Sequence, residues 1–362
     1  MNQALVSFPP GRAVIFNGHG KPFEFVSHTL PLLKPGEILV KILYTTLCGS
    51  DIHTYCGRRQ EPPHVVLGHE IAGEIMWISP EHNGTDINGT ALNTGDLITW
   101  AIFQVPFGVS APKEDMPQKS EGLFKYGHVL ASGDEIFNGG LADYCIIKYN
   151  TAVIKLDKSV PLKVAATISC AHATIMGAVR VAGDIKEQRV VVFGAGLLGL
   201  SCVAMCKEAG ASYVTIVDID ESRLKWGEKF GADYTFLLDG ADTKPWGDAD
   251  IVFDMTGHPG AMKTGLETLA IGGRAIWIGA VYPDKPVEVD AQHIVRKILQ
   301  IRGLHNYNYD DFVNAAAFIT KHVGHYPFEL LVEKEFSLNE IEEAFQFAHS
   351  AKPVRVGIKV ND

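Results

Sequence analysis

Residues 189–199 read RVVVFGAGLLG, a β-branched apolar run that breaks into Gly194-Ala195-Gly196-Leu197-Leu198-Gly199 and then continues in small and apolar residues as far as Ala209. A strand, a glycine turn and a buried helix in that order can be satisfied by few arrangements other than the opening of a βαβ unit with a parallel sheet. The next strand-like run, YVTIVD, ends in Asp218, nineteen residues after Gly199, where such a unit needs an acid. The three glycines serve different ends. Gly194 permits the tight turn, Gly196 lets backbone approach a pyrophosphate, and Gly199 brings helix close to strand. A pyrophosphate would then rest on the unpaired amides at the helix start, those of Leu197 and Leu198 included. Asp218 is suited to accept hydrogen bonds from both ribose hydroxyls and would repel a 2′-phosphate, which favours NAD over NADP; Arg223 is the nearby residue able to neutralise such a phosphate. Residues 190–206 carry no charge over 17 positions, close to the lower limit for a membrane span, but the glycine spacing accounts for them better.

The alternation continues downstream. Helix-like ESRLKWGEKFGA, strand DIVFDMTG, helix GAMKTGLETLA and strands RAIWIGA and LQIRGL follow in order. This predicts a doubly wound parallel sheet over residues 171–304. The first half reads differently. GEILVKILYTT, EIAGEIMWIS, GDLITWAIF and GGLADYCIIKY are β-branched and aromatic runs separated by Gly, Pro, Asn and Asp turns, with no helical period linking them. Residues 1–170 are therefore expected to form a β-rich domain, and residues 305–362 to return to it through a Ser-started amphipathic helix and a final strand, FSLNEIEEAFQFAHSAKPVRVGIKV. Substrate is expected where the two halves meet.

A chain of 362 residues exceeds what one hydrophobic core supports, in keeping with two domains. A formal charge of -10 argues against nucleic acid as a partner, because phosphate contacts need a clustered basic surface. The first residues, MNQALVSFPPGRAV, show no basic segment leading into a long apolar one, and the six cysteines are scattered, so neither export, membrane insertion nor a disulfide framework is expected. A reducing, cytoplasmic setting follows from that reading.

Residues 47–53, LCGSDIH, gather a thiol, a hydroxyl, a carboxylate and an imidazole, and GHE follows at 68–70. Catalytic zinc takes three protein ligands and keeps its fourth position open. Cys48 and His69, on neighbouring glycine-containing turns, are two candidates; Cys170, in TISCAHATIMGAVRVAG, is the third. Alone, Cys48 reads more readily as a packed small hydrophobe than as a ligand. Cys202 and Cys206, at helical spacing, are assigned to the core, Cys56 and Cys145 to no site, His172 to a polar neighbour rather than a ligand, and Glu81, His82 and His349 to the surface.

CGSDIH, GHE, GAGLLG and VDIDESRL occur in the order found in zinc-dependent alcohol dehydrogenases of the medium-chain dehydrogenase/reductase superfamily, and the chain resembles that family along essentially its whole length. The resemblance implies an α/β protein with a GroES-like β-rich catalytic domain and a Rossmann cofactor domain, transferring hydride between NAD and a small alcohol or carbonyl. It makes Cys48, His69 and Cys170 the zinc ligands, Glu70 an acid beside the metal able to exchange onto it or tune it, and Asp51 the carboxylate that holds the ligating imidazole in one tautomer. Ser50 and His53 would carry the alcohol proton to water by way of the nicotinamide ribose. His305 resembles the position where the chain returns beside the nicotinamide, and the AIWIGA region resembles the edge that pairs across a two-fold axis, implying a homodimer.

Many relatives bind a second, structural zinc through four cysteines at short spacing. Here Phe107, Ser110 and Lys113 stand at that spacing with Ser120 near the fourth place, and no cysteine lies between Cys56 and Cys145. One catalytic zinc per subunit is expected, with no structural zinc. PQK, LFKYGH, CGSDIHTYCGRR and IVRKILQIRGLHNY resemble the subgroup of phosphonate-catabolism-associated alcohol dehydrogenases. Arg58 and Arg59, five and six residues after His53, are either an anion clamp for a phosphonate or carboxylate or solvated surface arginines. Lys125, Tyr126 and His128 are further substrate candidates. The rival readings are a polyol or amino-alcohol dehydrogenase with the same apparatus, and a nucleotide-binding protein without catalysis.

Overall fold

The computed structural model describes residues 8–113, 115–238 and 246–361, so the first half of the N-terminal stretch read for export signals lies outside the described residues. The chain divides into two compact units, Met1–Ser169 with Val332–Asp362, and Cys170–Leu331. The second unit thus runs past the expected limit at residue 304.

Strands of the first unit are β1 (Gly11–Ile15), β2 (Glu24–His28), β3 (Ile38–Leu47), β4 (Glu70–Ile78), β5 (Leu97–Trp100), β6 (Phe103–Gln104), β7 (Phe124–Lys125), β8 (Tyr144–Ile147) and β9 (Val153–Lys155). Those of the second are β10 (Arg189–Phe193), β11 (Tyr213–Asp218), β12 (Tyr234–Leu237), β13 (Ala249–Asp254), β14 (Leu269–Trp277) and β15 (Gln300–Gly303); β16 (Val332–Ser337) and β17 (Arg355–Lys359) return to the first. The first unit's main sheet runs β16-β17-β3-β4-β5-β9, with β8 also on β3. Strand β3 pairs antiparallel with β4, β8 and β17, and Ile38, Leu39, Val40 and Ile42 are almost wholly buried in its core. Here the β-branched runs of the sequence become strands directly.

Two helices of this unit bear on its chemistry: α1 (Gly49–Tyr55), and the C-terminal helix. The first replaces the turn expected around LCGSDIH. The Asp51 carboxylate accepts a hydrogen bond from the Cys48 amide at 2.9 Å, closing the helix start.

A continuous helical stretch, α2 (Leu162–Thr167), a π-helical turn at Ile168–His172 and α3 (Ala173–Ala182), was not evident from the sequence. It is the one helix among the described residues long and apolar enough to cross a membrane, and most of its apolar window is buried inside the protein, as a core helix is. Residues 190–206 instead form β10, the glycine turn and the start of α4 (Leu197–Glu208).

The second unit's sheet is parallel, in the order β12-β11-β10-β13-β14-β15. Helices α5 (Glu221–Lys229), α6 (Pro259–Thr268) and α7 (Ala291–Lys297) fall within its connections. Helix α8 (Tyr309–His322) explains the longer unit: it packs on α3, and the Arg180 guanidinium forks onto Asp311 at 2.7 and 2.9 Å. Residues 305–331 therefore stay with the parallel sheet's unit instead of returning at once. Strand β14, which carries Ala275–Trp277 of the AIWIGA run, has neighbours on both sides; the open edge is β15, all four residues of which are exposed. After β16 and a Ser337–Glu340 capping box, the C-terminal helix α9 (Ile341–Ala351) and β17 follow as the sequence predicts.

Candidate active site

Cys48, His69 and Cys170 come together: one ligand atom from each lies within 4.8 Å of the other two, and among the described residues no other group of three or more such side chains does so. Tetrahedral zinc with bonds near 2.1–2.3 Å would need donors about 3.5–3.8 Å apart, a small contraction from this arrangement. Cys48 caps α1, His69 leads into β4, and Cys170 sits in the π-helical turn. A π turn inserts one residue into the helical repeat and so re-aims side chains, a device common at functional sites. Its neighbour Ser169 donates a hydrogen bond to the His69 carbonyl at 3.2 Å, which ties the turn to the histidine's backbone.

Asp51 is buried at 1% exposure and stands behind the imidazole, Oδ1 lying 3.4 Å from His69 Nδ1, while the same oxygen accepts from the Gly68 amide at 3.4 Å. Burial alone would lower the His69 pKa, yet Asp51 and the Cys48 sulfur raise it well above the ordinary value. The pocket therefore favours positive charge, and two soft thiolate donors beside an imidazole suit zinc in particular. On the other side of the ring, Ser50 Oγ lies 3.4 Å from Nε2. His53 is half-buried, and burial followed by the charge of Arg58 lowers its pKa.

Glu70 is fully buried, and burial lifts its carboxyl pKa to about 7 against the pull of Arg355. Arg355 on β17 reaches Glu70 Oε1 at 2.7 Å and stands 3.7 Å from Cys48 Sγ, and Thr46 donates to the other Glu70 oxygen. Sequence reasoning missed Arg355. The available signal was a lone arginine in VRVGIKV, a run otherwise fit for a buried strand.

The remaining candidates divide. The His128 ring lies 5.1 Å from that of His69, and its Nδ1 is 3.0 Å from Glu61, which also takes Arg59 at 2.9 Å. Burial, then Lys119 and Arg59, lower the Lys125 pKa. Arg58 is exposed and lines a different cavity, with His19, Cys56 and His349. Tyr126 is a correction: it is wholly buried, and its hydroxyl is engaged by Thr151 and the Lys148 amide, both at 2.8 Å, so it braces the core and is closed to substrate.

At the glycine turn, Gly194 adopts φ 102, a left-handed-side conformation that favours glycine. A Cβ on Gly199 would collide with the Gly194 carbonyl, whereas nothing lies within 4 Å of one on Gly196. Gly196 caps α4, so the amides of its first turn, Leu197 and Leu198 included, have no partner within the helix. Asp218 ends β11; its Oδ2 accepts from the Ala195 amide at 2.5 Å and its Oδ1 from the Asp220 amide at 2.9 Å. Arg223 reaches back to Asp220 at 3.9 Å. His305 is exposed between β15 and α8. Cys202 and Cys206 are buried within α4, and His172 is buried with Nδ1 at 3.1 Å from Ser201 Oγ.

The alcohol dehydrogenase GroES-like domain family matches residues 34–158, and the zinc-binding dehydrogenase family matches residues 198–321. L-threonine 3-dehydrogenase of Caldanaerobacter subterraneus subsp. tengcongensis is 27% identical over 310 residues, 81% of this chain and 82% of its own. D-arabitol-phosphate dehydrogenase of Enterococcus avium is 26% identical over 93% of this chain and 94% of its own. In fold, the chain is similar to an alcohol dehydrogenase from Thermotoga maritima, with a TM-score of 0.87 at 24% identity over 97% of this chain and 100% of that one.

Proposed function

The chain belongs to the zinc-dependent alcohol dehydrogenases of the medium-chain dehydrogenase/reductase superfamily, and from that premise we propose that it oxidises a small polar or anionic alcohol, phosphonate-bearing alcohols included, with NAD. The convergence of Cys48, His69 and Cys170 carries this reading. Zinc held by these three side chains would favour the alkoxide form of the alcohol, and the nicotinamide would accept its hydride.

The chain's own residues supply the rest. Asp51 fixes the tautomer and aim of His69. Ser50 is the first proton acceptor, beside the metal-facing nitrogen of that ring. His53, its pKa lowered by burial and by the charge of Arg58, accepts the proton in turn and releases it to water. Glu70, held by Arg355 and Thr46, brings behind Cys48 a carboxyl whose negative charge develops above about pH 7, and the arginine restrains it from moving onto the metal. Asp218 and the amides of Leu197 and Leu198 hold the ribose and pyrophosphate of NAD, with Gly194, Gly196 and Gly199 giving access; Arg223 and His305 are flanking contacts. One zinc per chain is part of the proposal, since the lobe positions Phe107, Ser110, Lys113 and Ser120 offer no thiolate. So are a homodimer formed through the β15 edge, near which Val295 and Ile298 are 75% and 69% exposed, and a reducing cytoplasm, in keeping with six free cysteines.

The anionic preference is supported by Lys125, which feels the charges of Lys119 and Arg59 beside a Glu61 carboxylate that Arg59 and His128 already engage. Burial first, and then the like charges of Lys119 and Arg59, lower the Lys125 pKa, and a bound anion would relieve the like-charge part. The competing substrate class is a polyol or amino alcohol, for which Glu61 would be the acceptor. NAD reduction over a panel of alcohols with and without phosphonate groups, repeated after chelation, tests both. Lys125→Gln should raise KM for the anionic alcohol about tenfold, the equivalent of about 1.4 kcal/mol, and leave neutral alcohols unchanged. Equal effects on both classes would remove the anion preference.

A further inference from the structure

Outside the zinc and nucleotide machinery, the first unit contains a cavity of about 590 Å³ lined by His19, Lys21, Tyr55, Cys56, Arg58 and His349, among others. It lies where the end of α1 meets one face of α9. Glu342, Gln346 and His349, three and four residues apart on α9, all line it. Its wall is fixed by aromatic packing: Tyr55 stacks on Phe23 at 6.1 Å and lies 5.0 Å from Phe345. Within it, the half-exposed Cys56 Sγ stands 3.2 Å from Nδ1 of the exposed His349. A thiol and an imidazole at hydrogen-bond distance, open to solvent, form a nucleophile and its base.

Cys56 caps the C-terminal end of α1, whose partial negative charge opposes an anion there. Arg58 and Lys21 on the cavity wall offset it, while Glu342 adds one carboxylate to the same wall. A metal is a poorer occupant: His19 turns Nδ1 to the Tyr55 carbonyl at 2.8 Å, and Cys56 and His349 belong to no three-donor group among the described residues.

We propose that Cys56 and His349 form a thiol–disulfide exchange site for a low-molecular-weight disulfide bearing carboxylates, which Arg58 and Lys21 attract. His349 takes the Cys56 proton, and the thiolate attacks one sulfur of the disulfide. The bond from Cys56 Sγ to that sulfur forms as the original S–S bond breaks; the other half leaves with the electron pair and receives the proton from His349. Cys56 is thereby oxidised to a mixed disulfide and the departing half is reduced to a thiol.

The test is incubation of the zinc-loaded full chain with glutathione disulfide, followed by intact mass and peptide mapping over time. A single adduct on Cys56 is expected, absent in Cys56→Ser. His349→Gln should slow it about tenfold. Joint Lys21→Gln and Arg58→Gln substitution should slow reaction with glutathione disulfide and leave that with neutral 2-hydroxyethyl disulfide unchanged. Labelling that persists in Cys56→Ser, a rate indifferent to His349, or equal slowing with both disulfides would overturn the proposal. The zinc content and circular dichroism of each variant establish that it is folded before its rate is compared.

Discussion

The glycine turn of the second unit and the cysteine loop of the first solve the same problem, holding a charged partner, in opposite ways. Residues 194–199 build their cradle from one contiguous backbone segment, within which the helix α4 begins. The zinc-ligand set draws on positions 48, 69 and 170, with Arg355 supporting from β17 near the far end of the chain. The first depends on the absence of side chains and the second on their convergence. Damage to the turn should therefore be steric and confined to nucleotide, whereas damage to the loop should spread through metal, buried charge and stability together.

The largest effect should come from a ligand. Cys170→Ser is expected to lose bound zinc and to lower kcat/KM by about a thousandfold or more, since the metal supplies several kcal/mol to the transition state. Nucleotide affinity, read by quenching of protein fluorescence, should stay near that of the parent. Next is Arg355→Met, which leaves Glu70 buried without its cation; burial already lifts this carboxyl to about 7, so the loss in denaturant unfolding, about 3–5 kcal/mol, should appear above that pH, where the group would be charged, and shrink below it. Adding Glu70→Gln to that variant should recover much of the loss, because the stranded charge is then gone.

Gly199→Val probes the other region. The collision with the Gly194 carbonyl should weaken NAD binding by about 1–3 kcal/mol while zinc content remains at one per chain. If zinc fell as well, the two regions would not be separable in the way described. The smallest effect belongs to Asp51→Asn, which keeps shape but removes the charge behind His69; zinc affinity should fall about 10–100-fold, measured by competition with a chelator.

The contrast also explains which features could be read in advance. RVVVF, YVTIVD and DIVFDMTG became β10, β11 and β13 because buried parallel strands are written as continuous apolar runs. The Ser337–Glu340 box likewise signals a helix start by itself. Helix α1 was hidden because its seven residues carry no apolar period and depend on the Asp51 cap. The helical stretch Leu162–Ala182 is apolar on nearly every side, so no periodicity marks it, and its π turn leaves no pattern in composition. Tyr126 drew notice for its neighbours in LFKYGH, but alternation along the chain aims it into the core while Lys125 remains half-buried. Arg355 could not be placed because its partner, Glu70, lies 285 residues away. The open edge at β15, and not at 275–280, follows from strand order, which no single run encodes.

X-ray absorption at the zinc edge of the purified chain tests the central claim most directly, because it reads the ligand atoms themselves. Convergence of residues 48, 69 and 170 predicts two sulfur scatterers near about 2.3 Å and nitrogen or oxygen near about 2.0–2.1 Å filling the remaining positions. A zinc shell without sulfur, or with a single one, would contradict it.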